Sequence, residues 1–162
     1  MTEAAQANPQ PNTQPVFNIE KLYVKDLSLE VPNAPGIFLE RENPQIDLQL
    51  HTNAAMVEEG VFDVTVTVTV TAKLAEKDKV LFLIEAKQAG IFQVRNLPAE
   101  EMETVLAVVC PNILYPYLRE VVSDMAVRAG FAPVLLNPIN FEAIYLQQKQ
   151  QTQAQTAEAV KH

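Results

Sequence analysis

The sequence predicts an α+β fold: a four-stranded antiparallel sheet with helices packed on one face. Three observations carry this. Val64 to Thr71 reads VTVTVTVT, a strict period-two alternation of β-branched residues, and the rest of the front half alternates in the same manner. From Pro98 onward the apolar residues recur at helical spacing instead. No helical segment of a dozen residues separates the strand-like runs, so parallel crossovers are not expected and the strands should be antiparallel.

Phe17 to Val31 forms the first strand. By alternation Phe17, Ile19, Tyr23, Leu27, Leu29 and Val31 share a face, with Lys21 and Lys25 interrupting it. A long turn, Val31-Pro-Asn-Ala-Pro-Gly36, follows. In the second strand Ile46, Leu48 and Leu50 alternate with Asp47, Gln49 and His51. Glu58-Glu59-Gly60 is a short turn into the third strand, where Phe62 and the alternate valines face one way and the threonines the other. Glu76 to Lys79 is a polar hairpin loop. The fourth strand begins VLFLI, which predicts cover on both faces over its first half. Phe82, Ile84, Ala86 and Gln88 point one way along it; Leu81, Leu83, Glu85 and Lys87 point the other.

Pro98 followed by Glu100, Glu101 and Glu103 starts a helix, with acids at the positive end of the dipole. Met102, Val105, Leu106 and Val109 continue its stripe. Pro111 and Pro116 predict a break or kink. Leu114, Leu118, Val121 and Met125 resume the stripe, and Gly130 is a C-cap. A connector from Phe131 to Asn137 leads to a last helix bearing Phe141, Ile144 and Tyr145. Residues 1–15 read as a disordered polar arm with three prolines, 16–146 as the folded domain, and 147–162 as a flexible Gln-rich tail.

Composition narrows the function. The chain has 162 residues, 48% of them hydrophobic, yet 20 acids against 12 bases leave a net charge of −8. Nucleic-acid binding needs clustered Lys and Arg, so an acidic chain is a poor candidate. One Cys cannot form an intramolecular disulfide, and one Cys with two distant His makes no ordinary zinc site. Met1 to Pro15 lacks the basic and apolar regions of a secretory signal, and no run approaches the roughly 20 apolar residues of a membrane span. A cytoplasmic protein without membrane insertion is therefore expected.

No catalytic set is apparent, and none of the motifs that cradle phosphate or hold catalytic zinc occurs. Cys110, after the apolar run Val105 to Val109, reads as a buried inert thiol, since reactive cysteines need an electropositive setting. The aromatic residues are more informative. Phe38, Phe82, Phe92, Tyr115, Tyr117, Phe131, Phe141 and Tyr145 gather near loops, strand ends and the proline-containing helical region. They either fill the core or line a groove, and aromatic contact area suits a site that accepts many sequences. A sheet with helices on one face also leaves a second face. Apolar groups there need a cover, which self-association supplies, while Asp26, Glu30 and Glu85 can mark a polar surface for a basic partner.

Five segments then resemble one family in order along the chain: YVKDLSLEVPNAPGIF (Tyr23 to Phe38), VTVTAKL (Val68 to Leu74), GIFQV (Gly90 to Val94), CPNILYPYLRE (Cys110 to Glu120) and LNPINFEAIY (Leu136 to Tyr145). The sequence is similar to the SecB family of bacterial protein-export chaperones over about residues 16–146. The resemblance implies the α+β fold above, assembled as a dimer of dimers. It implies an ATP-independent, cytoplasmic homotetramer that is not an enzyme and needs no cofactor or metal. Such a protein binds non-native precursor proteins, keeps them translocation-competent and delivers them to the SecA ATPase of the Sec pathway.

Position by position, Asp26, Glu30, Leu83 and Glu85 match the sheet surface that docks SecA through its basic, zinc-bearing tail. Ile84, Ala86 and Gln88 match strand positions at which assembly of the tetramer is sensitive, and so read as its interface, in agreement with the sheet face that the helices leave uncovered. Phe38, Tyr115, Tyr117, Phe131, Phe141 and Tyr145 are the candidates for the client-binding groove. Many relatives carry a Trp in the loop aligning with Glu42, Gly at Ala89 and, in some, Cys at Ile84; this chain departs at each. A reading from another class stays open beside this one: a small-ligand-binding or adaptor domain whose aromatics enclose a defined pocket.

Overall fold

The alternating runs form four strands, β1 (Val16–Glu30), β2 (Gln45–Glu58), β3 (Val61–Leu74) and β4 (Lys79–Arg95). All pairs are antiparallel and the order across the sheet is β1-β4-β3-β2. The computed structural model describes residues 11–159. Tight turns join β2 to β3 and β3 to β4, whereas β1 crosses to the far edge through residues 31–44, a segment that includes a 3-10 turn at Gly36–Leu39. Both β1 and β2 are therefore edge strands.

The valines of β3 do what their alternation requires. Val64, Val66, Val68 and Val70 are fully buried. Their neighbours on β4, Gly90, Gln88, Ala86 and Ile84, share that face. Helix α2 (Cys110–Arg128) lies over this face, and Leu114, Leu118 and Val122 join the strand residues in a single core. The approach is close: a Cβ on Gly90 would lie 3.1 Å from Leu114 Cδ2 and 2.7 Å from the Phe92 ring, so only glycine fits there.

β1 departs from simple alternation. Its register against β4 shifts between Ile19 and Lys21 and again between Val24 and Asp26. Each β-bulge inserts one residue and reverses which side chains face the helices. The helix-side set becomes Phe17, Ile19, Leu22, Val24, Leu27 and Leu29, with no lysine in it. Tyr23, assigned by alternation to the apolar face, lies on the other one. There its hydroxyl donates to Asp63 at 2.9 Å, beside the 2.6 Å Lys25–Asp63 ion pair.

The prolines do not break the helix. α1 (Ala99–Thr104), a π-helical turn (Val105–Val109) and α2 form one rod, Ala99–Arg128. Pro111 lacks an N–H and crowds the carbonyl four residues back, at Ala107. The wider π turn lies at that point, and the Cys110 N–H bonds to the Val105 carbonyl across it. The rod of 30 residues, with a mean hydropathy of 1.3 in its most apolar stretch, is long and apolar enough to cross a membrane by length and composition. This corrects the expectation that no segment has that property. Here one side of the rod packs on the sheet.

The ends also differ from expectation. Helix α3 runs from Phe141 to Ala159, so the Gln-rich stretch continues a helix rather than following one. Its Gln, Ala, Glu and Lys residues are good helix formers and need little burial to adopt the conformation. Of the polar arm, residues 1–10 lie outside the described residues. Asn12 and Gln14 accept bonds at 2.9 and 2.8 Å from the Asn96 side chain, which ties this part of the arm to the end of β4.

Candidate functional site

An open groove of about 810 Å³ lies between the β2 end of the sheet, the 3-10 turn and the connector that follows α2. Local sequence sets its wall. Gly130 ends α2 at φ +90°, with Gly130 N–H bonded to the Val127 carbonyl and Phe131 N–H to the Ala126 carbonyl. This paired arrangement turns the chain sharply at a left-handed residue. It delivers Phe131 between Phe38 and Phe82, with ring centroids 5.3 and 5.1 Å away. The three rings make a ladder from the groove rim, where Phe38 is 50% exposed, to its floor, where Phe82 is buried. Leu135 stands 78% exposed on the connector side, and Ile46 and Leu48 of β2 form the opposite wall.

Of the six residues expected to line this groove, Phe38 and Phe131 do so. Tyr115 and Phe141 do not: both are buried, with rings 5.7 Å apart in an edge-on pair, and Tyr115 donates a 2.5 Å hydrogen bond to the Asn137 carbonyl. They secure the connector from behind. Tyr117 is half exposed on α2, away from the groove. Tyr145 lines a separate cleft of about 420 Å³ between the π turn and α3, with the Lys149 ammonium 5.5 Å from its ring centre. Phe82, Leu135, Ile46 and Leu48 were missed. The first was visible as an aromatic residue near a strand end; the others carry no signal until the connector and the edge strand face one another.

Charge fastens the groove's loop. Lys77, in the β3–β4 turn, holds Glu40 at 2.6 Å and Glu42 at 2.8 Å, and Lys79 reaches Glu40 at 3.4 Å. Both carboxylates line the groove. Glu42 thus contributes an ion pair to the groove. The Lys77 hydrogen bond holds the Glu40 carboxyl below its ordinary range. A depressed carboxylate pKa means the contact persists above the ordinary carboxylate pKa and is lost as pH falls through the lowered value. Lys77→Glu should leave the melting temperature nearly unchanged, because the pairs are exposed. It should speed amide exchange in residues 37–44 severalfold; unchanged exchange there would show that the ion pairs do not order the loop.

The other face of the sheet carries the acidic set. Asp26 lies opposite Lys87, Ser28 opposite Glu85, and Glu30 opposite Leu83, and cross-strand partners share a face. Asp26, Glu30, Leu83 and Glu85 are therefore brought together on the face away from the helices. The candidate docking set omitted two neighbours. Lys87 lies within 3.9 Å of Glu85 and lessens the local negative charge. Asp47 of β2 extends the acidic surface, in the row Glu30–Leu83–Thr71–Asp47.

Ile84, Ala86 and Gln88 lie elsewhere. They are 0%, 1% and 4% exposed in the single chain, beneath α2. The expectation that they belong to an uncovered face is corrected: the leftover face is that of Leu83, Glu85 and Lys87. Any influence of the three on assembly must pass through the helix packed on them. Cys110 is buried as expected, and burial pushes its thiol up to about 12, which leaves almost no thiolate near neutral pH. Among the described residues no three His, Cys, Asp or Glu side chains converge as metal ligands would.

The family whose sequence model matches this chain is described as preprotein translocase subunit SecB, and the match covers residues 10–152. A protein-export protein SecB of Nitrosomonas eutropha is 65% identical over 145 residues, covering 90% of each chain. A protein of the same name from Aromatoleum aromaticum is 63% identical over 149 residues, covering 92% of this chain and 90% of its own. Among solved structures, the Mycobacterium tuberculosis Rv1957 SecB-like chaperone, in complex with a ChAD peptide from the Rv1956 HigA1 antitoxin, matches with a TM-score of 0.61. It is 19% identical, and the match covers 76% of this chain and 90% of that one; at this identity the likeness concerns the fold.

Proposed function

The chain belongs to the SecB family of protein-export chaperones, and from that premise we propose that it holds non-native precursors by their apolar side chains in the Phe38–Phe131–Phe82 groove. The observation that carries this is the groove's open, greasy rim: Phe38 and Leu135 stand 50% and 78% exposed at its mouth. A site for a small ligand would enclose its aromatics, and this one leaves both ends of its walls accessible to a passing chain. Several such contacts over one assembly give avidity without sequence specificity.

In this reading the protein acts in the cytoplasm, uses no ATP or cofactor and performs no catalytic step. It works as a dimer of dimers and hands its clients to SecA. Self-association is supported by the helix-side apolar row on β1: Phe17, Ile19, Val24 and Leu27 are 38–45% exposed, which is costly for a lone chain. SecA docking is supported by the shared face of Asp26, Glu30, Leu83 and Glu85, whose charge complements a basic tail. The decisive experiment is suppression of aggregation of an unrelated denatured protein, with release that needs no ATP, alongside native mass measurement of the tetramer and its client complex. A protein that leaves the aggregation rate unaltered is not a holding chaperone. Glu85→Lys should weaken binding of the SecA tail about tenfold while denatured-client binding stays within about twofold; unaltered tail binding would remove this face from the docking site.

A further inference from the structure

We propose that Asp63 is a positioning residue for the acidic docking face: it sequesters the Lys25 ammonium and so leaves the neighbouring Asp26 carboxylate free for a basic polypeptide partner. This rests on the docking reading of Asp26, Glu30 and Glu85, and it identifies what keeps a cation off that patch. Lys25 immediately precedes Asp26, and an ammonium resting on that carboxylate would neutralise it and repel a basic chain. At the second bulge of β1 the register passes from Val24–Gln88 to Asp26–Lys87 and skips Lys25. The extra residue of a bulge has no partner in the ladder to fix it.

Asp63 fixes it from two strands away. β4 lies between β1 and β3, yet Lys25 Nζ donates to Asp63 Oδ2 at 2.6 Å and the Tyr23 hydroxyl donates to Oδ1 at 2.9 Å. Both side chains therefore cross β4 on the face away from the helices. The sheet surface is low at this point. Ala89 stands between Tyr23 and Thr65 in one cross-strand row and carries only a methyl group. Ala89 and Thr65 are 0% and 6% exposed although they lie on the helix-free face, and the crossing side chains account for that cover. Each carboxylate oxygen of Asp63 thus has one donor, and its side chain is only 13% exposed. Lys87, by contrast, makes a looser 3.9 Å contact with Glu85. The cation next to Asp26 in the chain is the one that is tied down and turned away from it.

The test separates sequestration from net charge. The probe is the SecA tail as a zinc-loaded synthetic peptide, titrated against the full chain at about 0.1 M salt, where exposed charges more than roughly 10 Å apart are screened. Asp63→Asn keeps the shape and an acceptor for the Tyr23 hydroxyl but releases Lys25. We expect it to bind the tail about threefold more weakly, with denatured-client binding within about twofold of the unaltered chain. Adding Lys25→Gln to Asp63→Asn should restore tail affinity. Adding Lys21→Gln should not, although it restores the same net charge. Lys21 lies opposite Ile91, four residues along β4 from Lys87, and so roughly 13 Å from the Asp26 row. Unaltered tail binding by Asp63→Asn, no recovery with Lys25→Gln, or equal recovery with either lysine replaced would overturn the sequestration, while weakened binding by Glu85→Lys keeps the docking face in place. If Glu85→Lys also binds the tail as the unaltered chain does, the docking reading itself falls, and this proposal with it.

Discussion

Ile84→Asp should destabilise the fold of the chain itself rather than merely dissociate its assembly. Ile84 is fully buried between β1 and β3, its neighbours across the strands being Leu29 and Val70. The substitution removes an apolar contact and leaves a carboxylate with no basic group in the core cluster around it. Loss of the side chain and burial of an unpaired charge together cost about 3–5 kcal/mol. Against a total stability of about 5–15 kcal/mol this is a large fraction, and for a chain of this size the melting temperature should fall by about 10 °C or more. Ile84→Val, which keeps the chemistry and removes one methyl, should cost about 0.5–1.5 kcal/mol. Thermal melts and light scattering on both variants decide the matter. A well-folded Ile84→Asp protein with an unchanged melt and a smaller mass would return Ile84 to an exposed interface.

That outcome turns on a feature that pattern alone does not resolve. Alternation on β4 separated Ile84 from Leu83 correctly, but a two-sided apolar strand does not say which side the helix takes. The close fit of Leu114 against Gly90 decides it, and such a fit depends on three-dimensional packing. β3 was legible because its valines and threonines never change phase. β1 was not, because two bulges each reverse the phase and look, in the sequence, like lysines misplaced on an apolar face. The helical rod was misjudged for a related reason. The effect of Pro111 is absorbed by a π turn just before it, and this turn has no signature in composition. Gly130, by contrast, was legible as a cap, since a left-handed helix end selects glycine.

The groove shows the same division. Aromatic residues near loops suggested a binding surface, and the ladder Phe38–Phe131–Phe82 is built from them. Tyr115 and Phe141 looked equivalent in sequence, yet a single hydrogen bond to Asn137 and an edge-on ring contact commit them to the core. The acidic face was assembled correctly because Asp26, Glu30 and Glu85 are polar wherever the helices lie, and antiparallel pairing then places them side by side. Lys87, which alternation already placed beside Glu85, lowers the charge that any basic partner meets.

Leu135→Asp should abolish most client binding with almost no cost to folding. At 78% exposed, Leu135 contributes little to the stability of the chain, so a polar replacement leaves the core intact. In the groove it should cover a client's apolar side chain. Complete burial of one such residue is worth about 1.5–3 kcal/mol, which corresponds to a ten- to hundredfold loss in affinity. A carboxylate there adds the cost of desolvation on binding. Phe38→Asp should act in the same direction but with some loss of stability, since its ring also stacks on Phe131. Titration of a fluorescently labelled denatured protein, with melting curves as the folding control, reads both effects. The Glu85→Lys variant, altered on the opposite face, serves as the internal standard. Full client binding by Leu135→Asp would show that clients do not use the connector wall, and would leave the β2 side to carry the contact.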